Sequence, residues 1–385
     1  MELVKNKKRK VAIVVSDPMI AKFFLLPHIN KLSKRYLVTL ICNMEYQSDY
    51  LESLHEDISL IHIGICREIE PIKDIQALIR LLYHLKIAHY DFLYSITPKA
   101  GLLAMISSKV SNVPYRVHTF TGQVWVNSSG VKKYILMNMD RIIAILASYI
   151  LIDSPSQRDF LINKNIVGSE KSNVLGVGSI TGIDVNRFKQ NLNERKFNRK
   201  KLKIDDSMII VLFLGRLKRE KGVFELIRAF KNLSKRMKNL KLIIAGPDEE
   251  NIQPALELEL MSRKSDVYFY PYVKKPEELF NIADIFCLPS FREGFGNVII
   301  EAAAYGIPSI ASRIYGLTDA IVDQETGILV KAGSIDELEK AIFYLANNVQ
   351  ERNRLGSNAR IRVNQEFKES ELTEKFSDFV DGYLD

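Results

Sequence analysis

The chain predicts an α/β protein built of two doubly wound domains facing one another across a cleft, and three observations carry that expectation. Short β-branched runs alternate with amphipathic segments of helical period along the whole sequence, the mark of parallel strands joined by crossover helices. Its 385 residues suffice for two domains that each bury a substantial core. The strand series also starts afresh near Met208, after a stretch with no apolar periodicity.

In the first series the strands are expected at Lys10–Val15, Leu37–Cys42, Ile58–His62, Phe92–Ser95, Tyr115–Thr119 and Tyr149–Ile152. Phe24–Lys34 and Ile75–Ile87 carry helix-period apolar positions between them. The opening K-N-K-K-R-K-V-A-I-V-V starts like a leader peptide. Its apolar run, Val11–Val15, meets Ser16 and Asp17 too soon for one and reads as the first strand. Ile142–Ile152 is the most apolar stretch, but Arg141 and Asp153 bound it well short of a membrane span. It reads as a buried helix followed by a strand.

Phe188–Lys203, basic and without apolar period, reads as a connector into the second domain. Strands then follow at Ile209–Leu214, Lys241–Ala245, Val267–Tyr270, Ile285–Leu288, Ser309–Ala311 and Gly327–Val330. Glu369–Leu384 has helical period, with Leu372, Phe376, Phe379 and Val380 on its apolar side, suited to packing back onto the first domain. The expected domains are therefore 1–188, joined by helix 369–385, and 189–368. Ligands belong at the carboxyl ends of such strands.

Apolar residues make up 47% and charged residues 26%, an ordinary globular balance. Cys42, Cys66 and Cys287 lie far apart and are odd in number, which suits neither a disulfide framework nor a metal site and points to a reducing cytoplasm. The formal charge is +8, and residues 1–188 hold 23 Lys and Arg against 16 Asp and Glu. That excess fits an anionic membrane surface or a phosphorylated acceptor, and equally a merely solvated basic surface. Without a recognised binding module or basic–aromatic pattern, nucleic acid is not an expected partner.

Two segments carry chemistry. Ser290–Ala302 reads S-F-R-E-G-F-G-N-V-I-I-E-A, with Glu293 and Glu301 bracketing a glycine turn before a helix that starts near Asn297. Gly294 and Gly296 permit turn dihedrals and close approach, and free helix amides would face an anion lying over them. Each carboxylate can accept hydroxyl protons from a sugar or a ribose. Upstream, strand Ile209–Leu214 leads into Gly215, Arg216 and Lys221, cations placed to clamp phosphate oxygens at the next helix start. Taken alone, this second segment reads equally as a solvated basic loop.

Together with I-I-A-G-P, G-I-P-S-I-A-S and, more thinly, T-P-K-A-G-L-L, H-T-F-T-G-Q and G-S-I-T-G-I-D in the first half, these segments occur in the order found in one family. The chain resembles the retaining glycosyltransferases of the family 4 type, whose two Rossmann-like domains form the GT-B fold. The resemblance implies transfer of a sugar from a nucleotide donor, expected to be UDP-linked, with no metal and no separate cofactor. It places the donor diphosphate on Gly215, Arg216 and Lys221 and the transferred sugar on Glu293. Gly294, Phe295, Gly296 and Asn297 form the loop between, and Glu301 takes the ribose. His118 is implied beside the reacting sugar, with Lys99, Gly122 and Trp125 on the acceptor side.

The basic first domain favours, as acceptor, a glycan on a lipid diphosphate at the inner membrane face, as in surface-polysaccharide assembly, with the enzyme cytoplasmic or peripheral on that membrane. Two departures stand out: Ser16-Asp17-Pro18-Met19 replaces the family's glycine pair, and Thr181 stands where asparagine is expected. His118 reads alternatively as a hydrogen-bonded strand-end residue, Lys99 as a solvated cation and Trp125 as packing. The rival activities are a nucleotide-sugar epimerase, which would act without an acceptor, and a non-catalytic partner subunit of another transferase.

Overall fold

The computed structural model describes residues 8–45, 54, 56–66, 68, 70–260 and 266–385. The first residues of the charged opening run, as far as Lys7, lie outside that set. By internal contacts the chain divides into two compact units, Met1–Thr181 with Glu369–Asp385, and Gly182–Lys368.

The first unit's seven strands are β1 (Lys10–Val14), β2 (Leu37–Cys42), β3 (Ser59–His62), β4 (Phe92–Ile96), β5 (Tyr115–Phe120), β6 (Tyr149–Ile152) and β7 (Ser172–Val174). They pair in parallel in the order β3-β2-β1-β4-β5-β6-β7. Strands buried on both faces read as near-continuous apolar runs, and β1, β4 and β6 do so because helices cover each side. β7 escapes sequence detection: it is a three-residue edge strand, Ser-Asn-Val, held in place by its ladder to β6. On one side of the sheet lie the helices Pro71–Ala88, Pro98–Val110 and Gly130–Leu146, and on the other Leu26–Ser33 and the C-terminal helix Glu369–Leu384. That last helix buries Leu372, Phe376, Val380 and Leu384 against the first unit, as its apolar period predicts.

The second unit holds β8 (Ile209–Leu214), β9 (Leu240–Ala245), β10 (Val267–Tyr270), β11 (Ile285–Leu288), β12 (Ser309–Ser312) and β13 (Gly327–Val330). Its sheet is parallel in the order β10-β9-β8-β11-β12-β13. In both units the order of strands reverses beside the first strand, between β1 and β4 and between β8 and β11. In doubly wound sheets that switch point opens a crevice at the carboxyl ends.

Three expectations need correction. The unit boundary falls at Thr181/Gly182 rather than at 188, because Ile183 and Phe188 are buried in the second unit's core. The Ile183 amide donates to the Phe367 carbonyl at 2.8 Å, and the Phe188 ring lies edge-on to Phe280 and Tyr305. Residues Leu192–Lys201 form a helix, not a connector. The Asn191 carboxamide caps it, and its buried face is polar: Arg199 donates to the Ile282, Asp205 and Met208 carbonyls and pairs with Asp284. A buried guanidinium satisfied by carbonyls leaves no apolar period to read. The apolar run after Arg141 is helix then strand, but Ile142 and Ile145 face solvent.

Candidate active site

The switch point of the second unit lies between β8 and β11, so the loops that follow those two strands must be neighbours. After β8 the chain passes Gly215 and Arg216 and makes a 3-10 turn over Arg219–Lys221. It enters helix Val223–Ser234 through Gly222 at φ +70°. After β11 it runs through Pro289–Gly296 into helix Asn297–Ala304. The two loops press so closely that a Cβ on Gly222 would stand 2.0 Å from the Pro289 carbonyl oxygen. Only glycine fits that dihedral and that gap.

The loops are stitched by three interactions. The Phe291 amide donates to the Glu220 carbonyl at 2.8 Å. Arg292 forks onto the Glu220 carboxylate at 3.1 and 2.7 Å. Burial works to raise the Glu220 carboxyl, but Arg292, with Lys221 and Arg216 nearby, holds it below the usual range. The third stitch joins two of the expected site residues: Lys221 Nζ meets Glu293 Oε1 at 2.6 Å, their side chains only 12% and 14% exposed. Ser290 Oγ donates to the same carboxylate oxygen at 2.8 Å.

Beside this pair, Gly296 at φ +82° opens helix Asn297–Ala304 without a side-chain cap, and the helix has no acidic residue in its first turn. A side chain on Gly296 would strike Leu317 at 2.6 Å. A helix start without a side-chain cap, next to a lysine, favours an anion through the helix dipole and the cation. Phe295 contributes only backbone there, since its ring is buried against Phe367. Arg216 stands apart, half-exposed and paired with Glu249 at 3.1 Å, an oxygen it shares with Lys218.

Glu301 sits one turn into the helix, beyond Glu293. Burial raises its carboxyl to about 7, Arg187 drawing it down and Glu277 pushing it up. Arg187 itself is engaged by Glu277 at 2.5 Å. Glu301 is thus poised between an uncharged acid and a carboxylate that hydroxyl donors would stabilise.

In the first unit the expected acceptor-side residues fall differently. His118 does not reach the surface from β5. Its imidazole is buried under helix Pro98–Val110, where a Cβ on Gly101 would lie 2.2 Å away, and its Nδ1 meets Ser95 Oγ at 2.9 Å. Burial lowers it to about 3, so the ring is neutral and internal. Lys99 is held by Asp74 at 2.7 Å and by the Glu68 carbonyl. Trp125 is packing: its ring stacks on Phe160 and its indole donates to buried Asp140 at 2.7 Å. Burial lifts Asp140 to about 7, against the pull of that indole.

Other groups gather at the carboxyl ends of β4 to β6. Thr97, which follows β4, is a β-branched residue at φ +79°, a costly conformation of the kind that gathers at functional sites. Gly122 after β5 sits at φ +114°. Next to it, buried Gln123 accepts from buried Gln157 at 3.1 Å, which leaves Gln123 Nε2 and Gln157 Oε1 without partners among the described residues. One bonded amide pair thus retains a buried donor and a buried acceptor without partners, groups that suit a hydroxyl. Gln123 was legible within H-T-F-T-G-Q; Gln157 had no signal beyond the Ser154-Pro155 helix start. The departure at Ser16–Met19 also finds its reason. Asp17 Oδ1 accepts from the Met19 amide at 2.8 Å and Pro18 carries no N–H, so a carboxylate of the chain itself fills that helix start.

Known proteins resemble this chain in sequence and in fold. A family model described as "Glycosyl transferases group 1" matches residues 194–362. The chain is 30% identical over 339 residues to the capsular polysaccharide biosynthesis glycosyltransferase CapM of Staphylococcus aureus, covering 88% of this chain and 89% of the relative. It is 24% identical over 403 residues to the UDP-Gal:alpha-D-GlcNAc-diphosphoundecaprenol alpha-1,3-galactosyltransferase of Escherichia coli, covering 99% and 98%. Its fold matches that of Anabaena Alr3699/HepE, solved in complex with UDP, with a TM-score of 0.80 at 19% identity over 98% of this chain and 100% of that one. The two doubly wound sheets are those of GT-B enzymes. A relative 30% identical over most of both chains, and a family model lying over the loops that hold Lys221 and Glu293, make the chain a member of the group 1 glycosyltransferases.

Proposed function

We propose that this glycosyltransferase moves a hexose or N-acetylhexosamine from a UDP-sugar, with retention, to a glycan carried on a lipid diphosphate in surface-polysaccharide assembly. The observation that carries the reading is the Lys221–Glu293 contact beside the uncapped start of helix Asn297–Ala304. The named activities of the Staphylococcus and Escherichia relatives support the polysaccharide context, and the latter supports a UDP donor and a diphosphate-linked lipid acceptor.

In this reading the donor diphosphate lies over Gly215, Gly294 and Gly296, where Lys221, Arg216 and the helix amides stabilise its charge as it departs. The bond from the anomeric carbon to the diphosphate oxygen breaks. The acceptor oxygen bonds to that carbon on the same face, and its proton passes to the departing diphosphate. Glu293 turns from Lys221 to the sugar hydroxyls, with Asn297 beside it, and Glu301 receives the ribose. In the first unit Gln123 and Gln157 offer an amide pair to an acceptor hydroxyl, with Gly122 giving close approach. His118, being internal, positions β5 through Ser95 instead of touching sugar. No metal ion and no cofactor beyond the co-substrate enters the step.

The test is a panel of UDP- and GDP-sugars with a short-chain lipid-diphosphate glycan, with anomeric configuration read by NMR and a chelator present throughout. Transfer with retention from a UDP-sugar is expected. Epimerised donor in the absence of acceptor, or turnover only when a second protein is added, would replace the proposal with an epimerase or a partner subunit.

A further inference from the structure

Three acids in a row, Asp248, Glu249 and Glu250, follow β9 on a loop that borders the cation-bearing loop after β8. Backbone contacts hold the two loops together. The Leu217 amide donates to the Pro247 carbonyl at 2.8 Å, and Leu217 and Asp248 form a single parallel bridge. A Cβ on Gly246, at φ +139°, would stand 2.0 Å from the Gly215 carbonyl oxygen, so only glycine permits this approach.

Each acid has a different task. Asp248 accepts from the Ile252 and Gln253 amides at 2.9 and 2.8 Å and starts helix Gln253–Leu260. Glu250 accepts from the Arg219 amide at 3.0 Å, where the 3-10 turn leading to Lys221 begins. Glu249 is the one that meets cationic side chains. Its Oε2 lies 3.1 Å from Arg216 Nη1 and 2.8 Å from Lys218 Nζ, and neither cation makes another ion pair among the described residues. An anionic oxygen shared by a guanidinium and an ammonium is the arrangement a phosphate oxygen would have there. Glu293 stands in the same relation to Lys221, at 2.6 Å. Both cations expected to take the diphosphate are thus engaged by carboxylates, each from a different loop.

Arg216 and Lys218 are 43% and 25% exposed, and ion pairs this open to water are weak. A diphosphate, with more charge and more acceptor oxygens, displaces such a partner. Glu249 cannot withdraw far, because its loop is fixed along Gly215–Leu217, and its charge stays close enough to repel the anion that replaced it.

We propose that Glu249 stands in for the donor diphosphate on Arg216 and Lys218 when the site is empty, yields to it on binding, and speeds departure of the nucleoside diphosphate by returning to both cations. Lys218 thereby joins the cations of the donor site. Nucleotide affinity is lowered, and turnover does not stall on a product held too well. A carboxylate that merely propped Arg216 in place would act in the opposite sense, since removing its charge would loosen Arg216 and weaken binding. The inference rests on the reading of Arg216 as a diphosphate ligand.

The experiment is calorimetric titration of UDP into the full chain, with stopped-flow measurement of UDP release, at about 50 and about 500 mM salt. Glu249→Gln is expected to bind UDP about three- to tenfold more tightly at low salt, through slower release, and the gain shrinks at high salt. Glu250→Gln loses the same charge from a backbone contact and binds as the wild type does. Arg216→Gln weakens binding, and on that background Glu249→Gln gains less. Equal or weaker binding by Glu249→Gln, or an equal gain from Glu250→Gln, overturns the proposal while leaving the donor reading in place. UDP binding that is absent, or that Arg216→Gln does not weaken, removes the donor reading and the inference with it.

Discussion

Replacing Glu301 by Gln separates two consequences of one carboxyl group. In the folded chain that group titrates near 7, against 4.5 in a solvated chain. Between those values the folded state keeps a proton that the unfolded state has released, so the wild type loses stability as pH rises through that window. The difference converts to about 3 kcal/mol, and because the side chain retains some solvent access the expected loss is roughly 1–3 kcal/mol. Gln does not titrate. Urea unfolding followed by circular dichroism should therefore show the two proteins equal near pH 4, with Glu301→Gln the more stable by that margin at pH 8. Ligand binding should run the other way. A ribose diol bonded to the carboxylate is worth roughly 1.5–3 kcal/mol, so the Gln variant should bind UDP about 10–100-fold more weakly at pH 8. Wild-type affinity for UDP should itself fall as pH drops below 7. A stability difference that does not vary with pH refutes the burial argument, and unchanged UDP affinity refutes the ribose role.

The remaining predictions concern the loops and the helix that support them. Lys221→Met removes a cation proposed to stabilise the developing diphosphate charge and should cut the turnover rate by roughly 10²–10³ with the fold intact; steady-state rates within a few-fold of wild type would remove Lys221 from the chemistry. Gly222→Ala places a Cβ 2.0 Å from the Pro289 carbonyl oxygen at φ +70°, with backbone as the obstacle. It should cost more than about 3 kcal/mol in denaturant unfolding, and a near-neutral result would show that the two loops part more easily than they pack. Arg199→Met withdraws the guanidinium from the Ile282 and Met208 carbonyls, while the Asp205 carbonyl keeps the Met208 amide and Asp284 keeps Arg195 and the Ile210 amide. A loss of about 3–5 kcal/mol is expected, and a shift under about 1 kcal/mol would mean the guanidinium only fills space.

Most strands were legible because parallel strands covered on both faces must be continuously apolar, and such runs are short and bounded by turn residues. What stayed hidden were elements held by polar contacts. Leu192–Lys201 looked like a linker because its inward side is Asn198 and Arg199, which answer carbonyls rather than oil. The same holds within the site. Lys221 and Glu293 were readable as residues, and the sheet order that closes 72 positions of chain between them into a 2.6 Å contact explains why they belong together. His118 misled because a histidine within a strand looks alike whether it ends in solvent or beneath a helix. Only Gly101, seventeen positions earlier and without a side chain, makes room for it.

The C-terminal helix has a consequence for how the protein comes into being. Phe376, Val380 and Leu384 complete the apolar layer behind β1 and β4, yet they are translated after the whole of the second unit. Residues 182–368, a whole second unit, are synthesised in between. At ordinary elongation rates the first unit waits roughly 10–40 s for its final helix. During that interval the part of its sheet that this last helix covers stands open, while all residues of the second unit have been made. The unit begun before the other is therefore completed after it.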